Sequence, residues 1–470
     1  MWKVLRRRLE RYEGMEENLT VALDLRRMLP GMLVEQIAAI FLENINVFVM
    51  GFISTAAIAG VGQINTVNSV LMNLFQAFAI GGTVLVGQFA GAGRKKDAAR
   101  SAASALLLGG SVSLLVTALI WIFRAQVIHL LFGRAEAEVI ESSMLYFSYT
   151  ALTPPLWFLY FQCCGFMRSA GDTKRPMYIS VVLNAASIVF NLVFALVFHL
   201  GIRGAALSYL LSVALAAAIS LAAVLRRQFI CRPSVEFGRE TGRDLRRLSG
   251  IAFPASAENL MFNGSRIILQ VFLAGMGKVM ISGNSVFNSV NGILNVPTMA
   301  LYYLTIPVIS RCAGEGGRAR LEGGLRYIYR KTLIWTIPVA AAHLLLGYPG
   351  SMLFSRDPNV IRVGAGMLAI YAPFAMVQHG SFILPNGFKA VGDARFAMFL
   401  SSATAWSIRV LGTWLLGVKL GWGAYAIALT QGIDSAVRAA VYHRRFTRGT
   451  WLSFLSAKQE QGGESAKAGG

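Results

Sequence analysis

Seven charged residues stand inside stretches that are otherwise apolar: Glu35, Glu43, Glu258, Arg266, Arg409, Asp434 and Arg438. A charge in such surroundings is costly unless it is paired or works for the protein, so each is a site candidate. Glu35 and Glu258 lie near the starts of their stretches, where a carboxylate either bonds neighbouring backbone or helix ends or carries an ion. Asp434 and Arg438 are four apart, the spacing of an ion pair within one helix. Arg409 also needs a partner and competes for Asp434. Asparagines and a serine form further polar stripes at helical spacing: Asn184, Ser187 and Asn191; Asn65 and Asn68; Asn288 and Asn291. Such side chains either bond between helices or line a hydrated cavity.

The elements that must position these residues are membrane helices. Of the 470 residues, 55% are hydrophobic and only 14% charged, whereas a soluble domain carries about 25% charged residues. Apolar runs of about 20 residues recur along nearly the whole chain. Spans are expected near 29–52, 57–92, 101–123, 143–167, 177–199, 203–225, 248–276, 279–310, 332–355, 363–386, 396–418 and 420–442. Pro154, Pro155, Pro297 and Pro307 are expected to kink the spans that hold them. The expected fold is all-α, with twelve transmembrane helices.

The net charge of +21 raises the question of nucleic acid, but the charges sit between the spans. With a cytoplasmic N-terminus, that side receives Arg6–Arg8, Arg94-Lys95-Lys96, Lys174-Arg175, Arg226-Arg227, Arg246-Arg247 and Arg444-Arg445. The other side receives only Arg124, Arg134, Arg203, Lys278, Arg356, Arg362 and Lys419. The excess of basic residues on one side places both termini in the cytoplasm of a multi-pass inner-membrane protein. It accounts for the charge without a nucleic-acid partner. No cleavable signal peptide is visible, because Glu10, Glu13, Glu16 and Glu17 precede a full-length first span. Cys163, Cys164, Cys231 and Cys312 suggest free thiols, Cys231 and Cys312 in loops. The five histidines lack metal-ligand spacing, and no phosphate-cradling loop is present, so neither a metal, a cofactor nor an enzyme activity is expected.

Short strings return at a nearly constant offset. Ile58-Ala59-Gly60 with Asn65 and Asn68 returns as Ile281-Ser282-Gly283 with Asn288 and Asn291, 223 residues on. Val86-Gly87-Gln88 to Gly93 returns as Ile309-Ser310-Arg311 to Gly316 at the same offset, and Gly171-Asp172 after Arg168 returns as Gly392-Asp393 after Lys389, 221 residues on. Six helices in each half give parallel repeats related by an axis along the membrane normal, with the substrate between them. The expected layout is a cytoplasmic segment 1–28, an N-lobe 29–225, a linker 226–247, a C-lobe 248–442 and a cytoplasmic tail 443–470. Glu43 shifted by 223 lands on Arg266, so the two form either a gate or a permanent pair, unless their contacts are unrelated.

From about Leu29 to Leu452 the chain resembles the multidrug and toxic compound extrusion (MATE) family. The resemblance is carried by Glu35-Gln36, Met50-Gly51, Gly87-Gln88-Phe89-Ala90-Gly91-Ala92-Gly93, the run Gly165–Pro176, Gly204-Ala205-Ala206, Pro254 with Glu258-Asn259, Trp406 with Arg409, and Arg438 with Arg445 and Trp451. It implies two six-helix bundles and export of hydrophobic, often cationic, compounds against inward Na⁺ or H⁺; a small amphipathic substrate and action as a monomer are expected. The family's ion-binding aspartate of the first helix falls at Asn46, and its Asn-x-x-x-Asp pair on the fifth at Ser187 and Asn191. Glu35 and Asn46 share one helical face, and Glu43 stands about 60° from Asn46. Glu43 is the nearest group able to take up and give back a proton. Two further readings are a flippase for an amphipathic anionic precursor, whose phosphate Arg266 would suit, and a non-transporting sensor or scaffold.

Overall fold

The computed structural model describes residues 21–39, 55–132, 137–226 and 239–453. Glu43, Asn46 and Cys231 lie outside them. Among the described residues every regular element is helical, as the bilayer demands: with no water to bond, each backbone N–H and C=O must be satisfied inside its own segment.

The helices are α1 (21–39), α2 (Thr55–Gly91), α3 (Lys95–Ile122), α4 (Arg124–Phe132), α5 (Ala137–Thr150), α6 (Pro154–Ser169), α7 (Lys174–Asn191), α8 (Gly201–Leu225) and α9 (Arg239–Ala274). They continue with α10 (Lys278–Leu294), α11 (Val296–Glu315), α12 (Arg318–Leu345), α13 (Gly347–Met352), α14 (Pro358–Gln378), α15 (Gly380–Val391), α16 (Ala394–Thr404), α17 (Leu411–Thr413) and α18 (Tyr425–Arg448). Wider π-helical turns cover Leu192–Val197, Ala405–Val410 and Trp414–Lys419. The all-α membrane fold expected from the sequence, with its two six-helix halves, is the fold observed. Ile64–Gly91, Lys95–Ile122, Lys174–Phe194, Gly201–Leu225 and Pro358–Val391 are long and apolar enough to cross a membrane as they stand, and α10 with α11 is so when the bent pair is taken together.

Several expected spans turn out to be interrupted. The one expected at 143–167 is two helices, because Pro154 and Pro155 have no N–H to continue α5 and instead open α6. The one expected at 279–310 bends by 62° between α10 and α11, at Pro297 in the first turn of α11. Pro307 lies inside continuous α11. The span at 363–386 passes through both α14 and α15, which are separated by His379 alone, and still forms one membrane-length run. Cys312, expected in a loop, is buried in α11.

The chain divides into two compact units, Met28–Ser256 and Ala257–Gly470 with Met1–Arg27. In the first, Phe75, Phe78 and Phe158 pack with Ala252, and Trp157, Tyr160 and Met167 pack against Ile179, Leu183 and Val213. Glycine lets α3 approach α6 there: a Cβ on Gly109 would overlap the Phe158 ring. In the second, Phe287, Met367, Leu368 and Tyr371 form the core. Its α10 and α14 cross where Gly283 meets Val363 and Gly364 meets Val286. Large apolar side chains point outward along the helices, Leu114, Leu115 and Ile122 each 61% exposed, as lipid requires.

Candidate functional site

In each unit a carboxylate near the start of the unit is tied to a cation on the helix that precedes a Gly-Asp turn. In the first unit Arg168, in the last turn of α6, donates through Nη2 to Glu35 Oε1 on α1. In the second, Lys389 Nζ of α15 lies 2.7 Å from Glu258 Oε2 of α9. Ser401 Oγ donates to Glu258 Oε1 at 2.9 Å and lies 2.9 Å from the Tyr442 hydroxyl. Both carboxylates are therefore held by cationic side chains of another helix, not by backbone. The sequence did carry a signal for the partners. Arg168 and Lys389 stand three residues before Gly171 and Gly392, the same matched pair of turns that revealed the repeat.

Burial gives the finer register between the halves. The buried residues of α8 (Ala205, Ser208, Ser212, Val213, Ala216, Ala217, Ser220) match those of α18 (Ile427, Thr430, Asp434, Ser435, Arg438, Ala439, Tyr442) at a constant offset of 222. Along α7 and α16 the offset is 221 at Pro176/Ala397, Ser180/Ser401 and Leu183/Thr404, then 222 at Ser187/Arg409. The extra residue is absorbed by the π-helical turn Ala405–Val410, which has no counterpart in α7. Without it Ile408, not Arg409, would face inward. The two later π-helical turns, Leu192–Val197 and Trp414–Lys419, again correspond at 222.

In the second unit this register gathers a charge cluster. Asp434 Oδ2 accepts from Arg409 Nη2 at 2.7 Å and from Arg438 Nη2 at 2.9 Å. The ring of Phe262 lies 4.6 Å from the Arg409 guanidinium and 5.5 Å from that of Arg438, which also lies 5.7 Å from Phe382. Asp434 thus serves both arginines that the sequence left competing for it. The corresponding places in the first unit hold Ser187, Ser212 and Ala216.

The polar stripes are used mostly within their own helices. Asn184 Nδ2 donates to Ser180 O at 2.7 Å and Asn191 Nδ2 to Ser187 O at 2.9 Å. Ser208 of α8 donates to Ser187 O at 3.4 Å. Asn65 accepts from the Tyr146 hydroxyl at 3.4 Å, and Asn68 is buried beside it. Their repeats differ: Asn288 is exposed, while Asn291 Oδ1 accepts from Asn295 Nδ2 at 2.8 Å and lies 2.9 Å from His343 Nε2. His343, whose Nδ1 lies 2.7 Å from Val339 O, has no counterpart in a spacing motif, so the sequence offered no signal for it. Arg266 is exposed and has no ion-pair partner among the described residues.

A family model described as MatE matches residues 32–195 and again 254–415, two matches that begin 222 residues apart. Among curated proteins, an uncharacterised transporter of Bacillus subtilis, YisQ, is 23% identical over 88% of this chain and 91% of its own. A probable multidrug resistance protein of Thermotoga maritima, NorM, is 23% identical over 77% of this chain and 78% of its own. Among solved structures, the Vibrio cholerae MATE transporter VcmN, a mutant form, superposes with a TM-score of 0.83 at 18% identity over 95% of this chain and 98% of its own. With each internal repeat matched and well over half of the sequence covered, the chain belongs to the MatE family of membrane transporters.

Proposed function

We propose that the chain is a secondary antiporter that exports amphipathic drugs or xenobiotics in exchange for H⁺ or Na⁺ by alternating access. Membership of a transporter family and the name of the NorM relative support drug export. The observation that carries the reading is the twofold repetition of a buried acid tied to a cation, Glu35 with Arg168 and Glu258 with Lys389. Repetition of an intramembrane ionisable site in two halves suits a transporter that alternates between two related states. In this reading the protein acts as a monomer, residues 29–225 and 248–442 are its lobes, and both termini are cytoplasmic. A flippase is not favoured by the relatives. The cationic preference implied by the resemblance finds little support in the second unit, where Arg409 and Arg438 share one acid.

Coupling falls to Glu43, the acid beside Asn46, or to the carboxamide and hydroxyl oxygens of Asn46, Ser187 and Asn191 acting on Na⁺. The test is uptake of one fluorescent amphipathic dye into everted vesicles under separately imposed H⁺ and Na⁺ gradients. One of the two gradients is expected to drive uptake. With H⁺ as the driver, Glu43→Gln should reduce transport more than Asn46→Ala; with Na⁺ the order should reverse. Failure of both gradients across a panel of cationic, neutral and anionic dyes would remove ion-coupled drug export.

A further inference from the structure

Among the described residues, the buried charges of the second unit do not balance. Glu258 is paired with Lys389, so the cluster of Arg409, Asp434 and Arg438 is left with two guanidinium groups and one carboxylate. Their side chains are only 5%, 0% and 3% exposed. In surroundings that dry an uncompensated charge is expensive, and a guanidinium is stabilised most by a second planar carboxylate. The bonding is also incomplete. Both arginines use the same oxygen of Asp434, while Asp434 Oδ1, Arg409 Nε and Arg438 Nε are buried without a hydrogen-bond partner among the described residues.

The fold does not require these charges. At the matching places the first unit packs Ser187, Ser212 and Ala216, all buried. The arginine is moreover brought inward by the π-helical turn Ala405–Val410, a one-residue insertion absent from α7. Single π-helical turns inside α-helices are frequent at functional sites. The ionic cluster is thus present in one repeat, missing from the other and served by its own backbone irregularity.

Resting on the reading of the chain as an exporter of amphipathic compounds, we propose that Arg409 and Arg438 bind the carboxylate of an anionic amphipathic substrate. The substrate supplies the second negative charge that balances the pair, and its apolar part lies against Phe262 and Phe382. The free Nε–H groups provide donors for it, and the shared Asp434 keeps the guanidinium planes in place. Organic cations are disfavoured in this unit by the same excess charge.

The test uses the full-length protein purified in detergent and three probes of one shape: 1-pyrenebutyrate, 1-pyrenebutanol and 1-pyrenebutylamine. Binding is read by fluorescence anisotropy and by the shift of the thermal unfolding midpoint. The anion should bind about tenfold or more tightly than the alcohol, the scale of one charge-assisted hydrogen bond, and the amine most weakly. Arg409→Gln and Arg438→Gln should each remove that advantage, while Arg409→Lys restores part of it. Equal binding of the three probes, or tightest binding of the amine, overturns the proposal from the wild-type protein alone, whether or not the variants fold. Sulfate that displaces pyrenebutyrate and protects against unfolding as well as it does would also overturn it, marking an inorganic-anion site. Export itself is scored separately: an anion preference in detergent without gradient-driven movement of any probe in liposomes keeps the site and removes the exporter.

Discussion

At the scale of single residues, the informative contrast is between ion pairs that fix packing and charges left in excess. Glu258 and Lys389 are 14% and 7% exposed, so neither can turn to water when the other is lost. Breaking a buried pair costs about 3–5 kcal/mol, because the survivor is left uncompensated, whereas replacing both partners costs much less. Lys389→Met should therefore lower the unfolding midpoint of the purified protein strongly, and Glu258→Gln combined with Lys389→Met should recover most of the loss. Equal losses in the single and double variants would mean that the pair contributes packing alone. The same logic applies to Glu35 and Arg168, which makes the two pairs internal controls for one another. Much of this was readable in advance, since Glu35 and Glu258 stand out as acids in apolar runs. Their partners, 133 and 131 residues away in sequence, were marked only by their matched places before the two Gly-Asp turns, which did not say that they meet the acids.

At the scale of elements, the halves differ where one holds a proline. Pro297 corresponds to Leu74 at the offset of 223, and α2 runs unbroken through Leu74 while α10 and α11 meet at 62°. A proline in the first turn of α11 cannot donate to the preceding turn, so the ladder stops there. Pro297→Leu should join α10 and α11 into one straighter helix. From their 17 and 20 residues and a rise of 1.5 Å each, the distance between spin labels at the two ends should grow by ~8 Å, measurable by pulsed electron resonance. An unchanged distance would assign the bend to packing around α10 and α14. That contact is itself tight: a Cβ on Gly364 would lie 2.9 Å from Val286 Cγ1. Gly364→Ala should destabilise the second unit by about 1–3 kcal/mol through overpacking, seen as a lower unfolding midpoint.

At the scale of the whole molecule, orientation follows from where the basic residues lie between spans. A green fluorescent protein fused after Gly470 should fluoresce and alkaline phosphatase fused there should be inactive, as expected for a cytoplasmic C-terminus. The reverse result would invert the topology and exchange the two faces of the transporter. What the sequence determined by itself was everything written in local periodicity: the apolar runs, the all-α class, the repeat and the family strings, because burial in lipid imposes length and composition on each helix separately. Only the tertiary structure decided which charges meet. Asp434 serves two arginines because α16 and α18 lie side by side, and Arg409 faces inward because one π-helical turn shifts the register from 221 to 222. A one-residue drift is lost among the small variations of an aligned repeat. In three dimensions it turns a side chain by about 100°, enough to move an arginine from the surface of a helix to the interior of the unit.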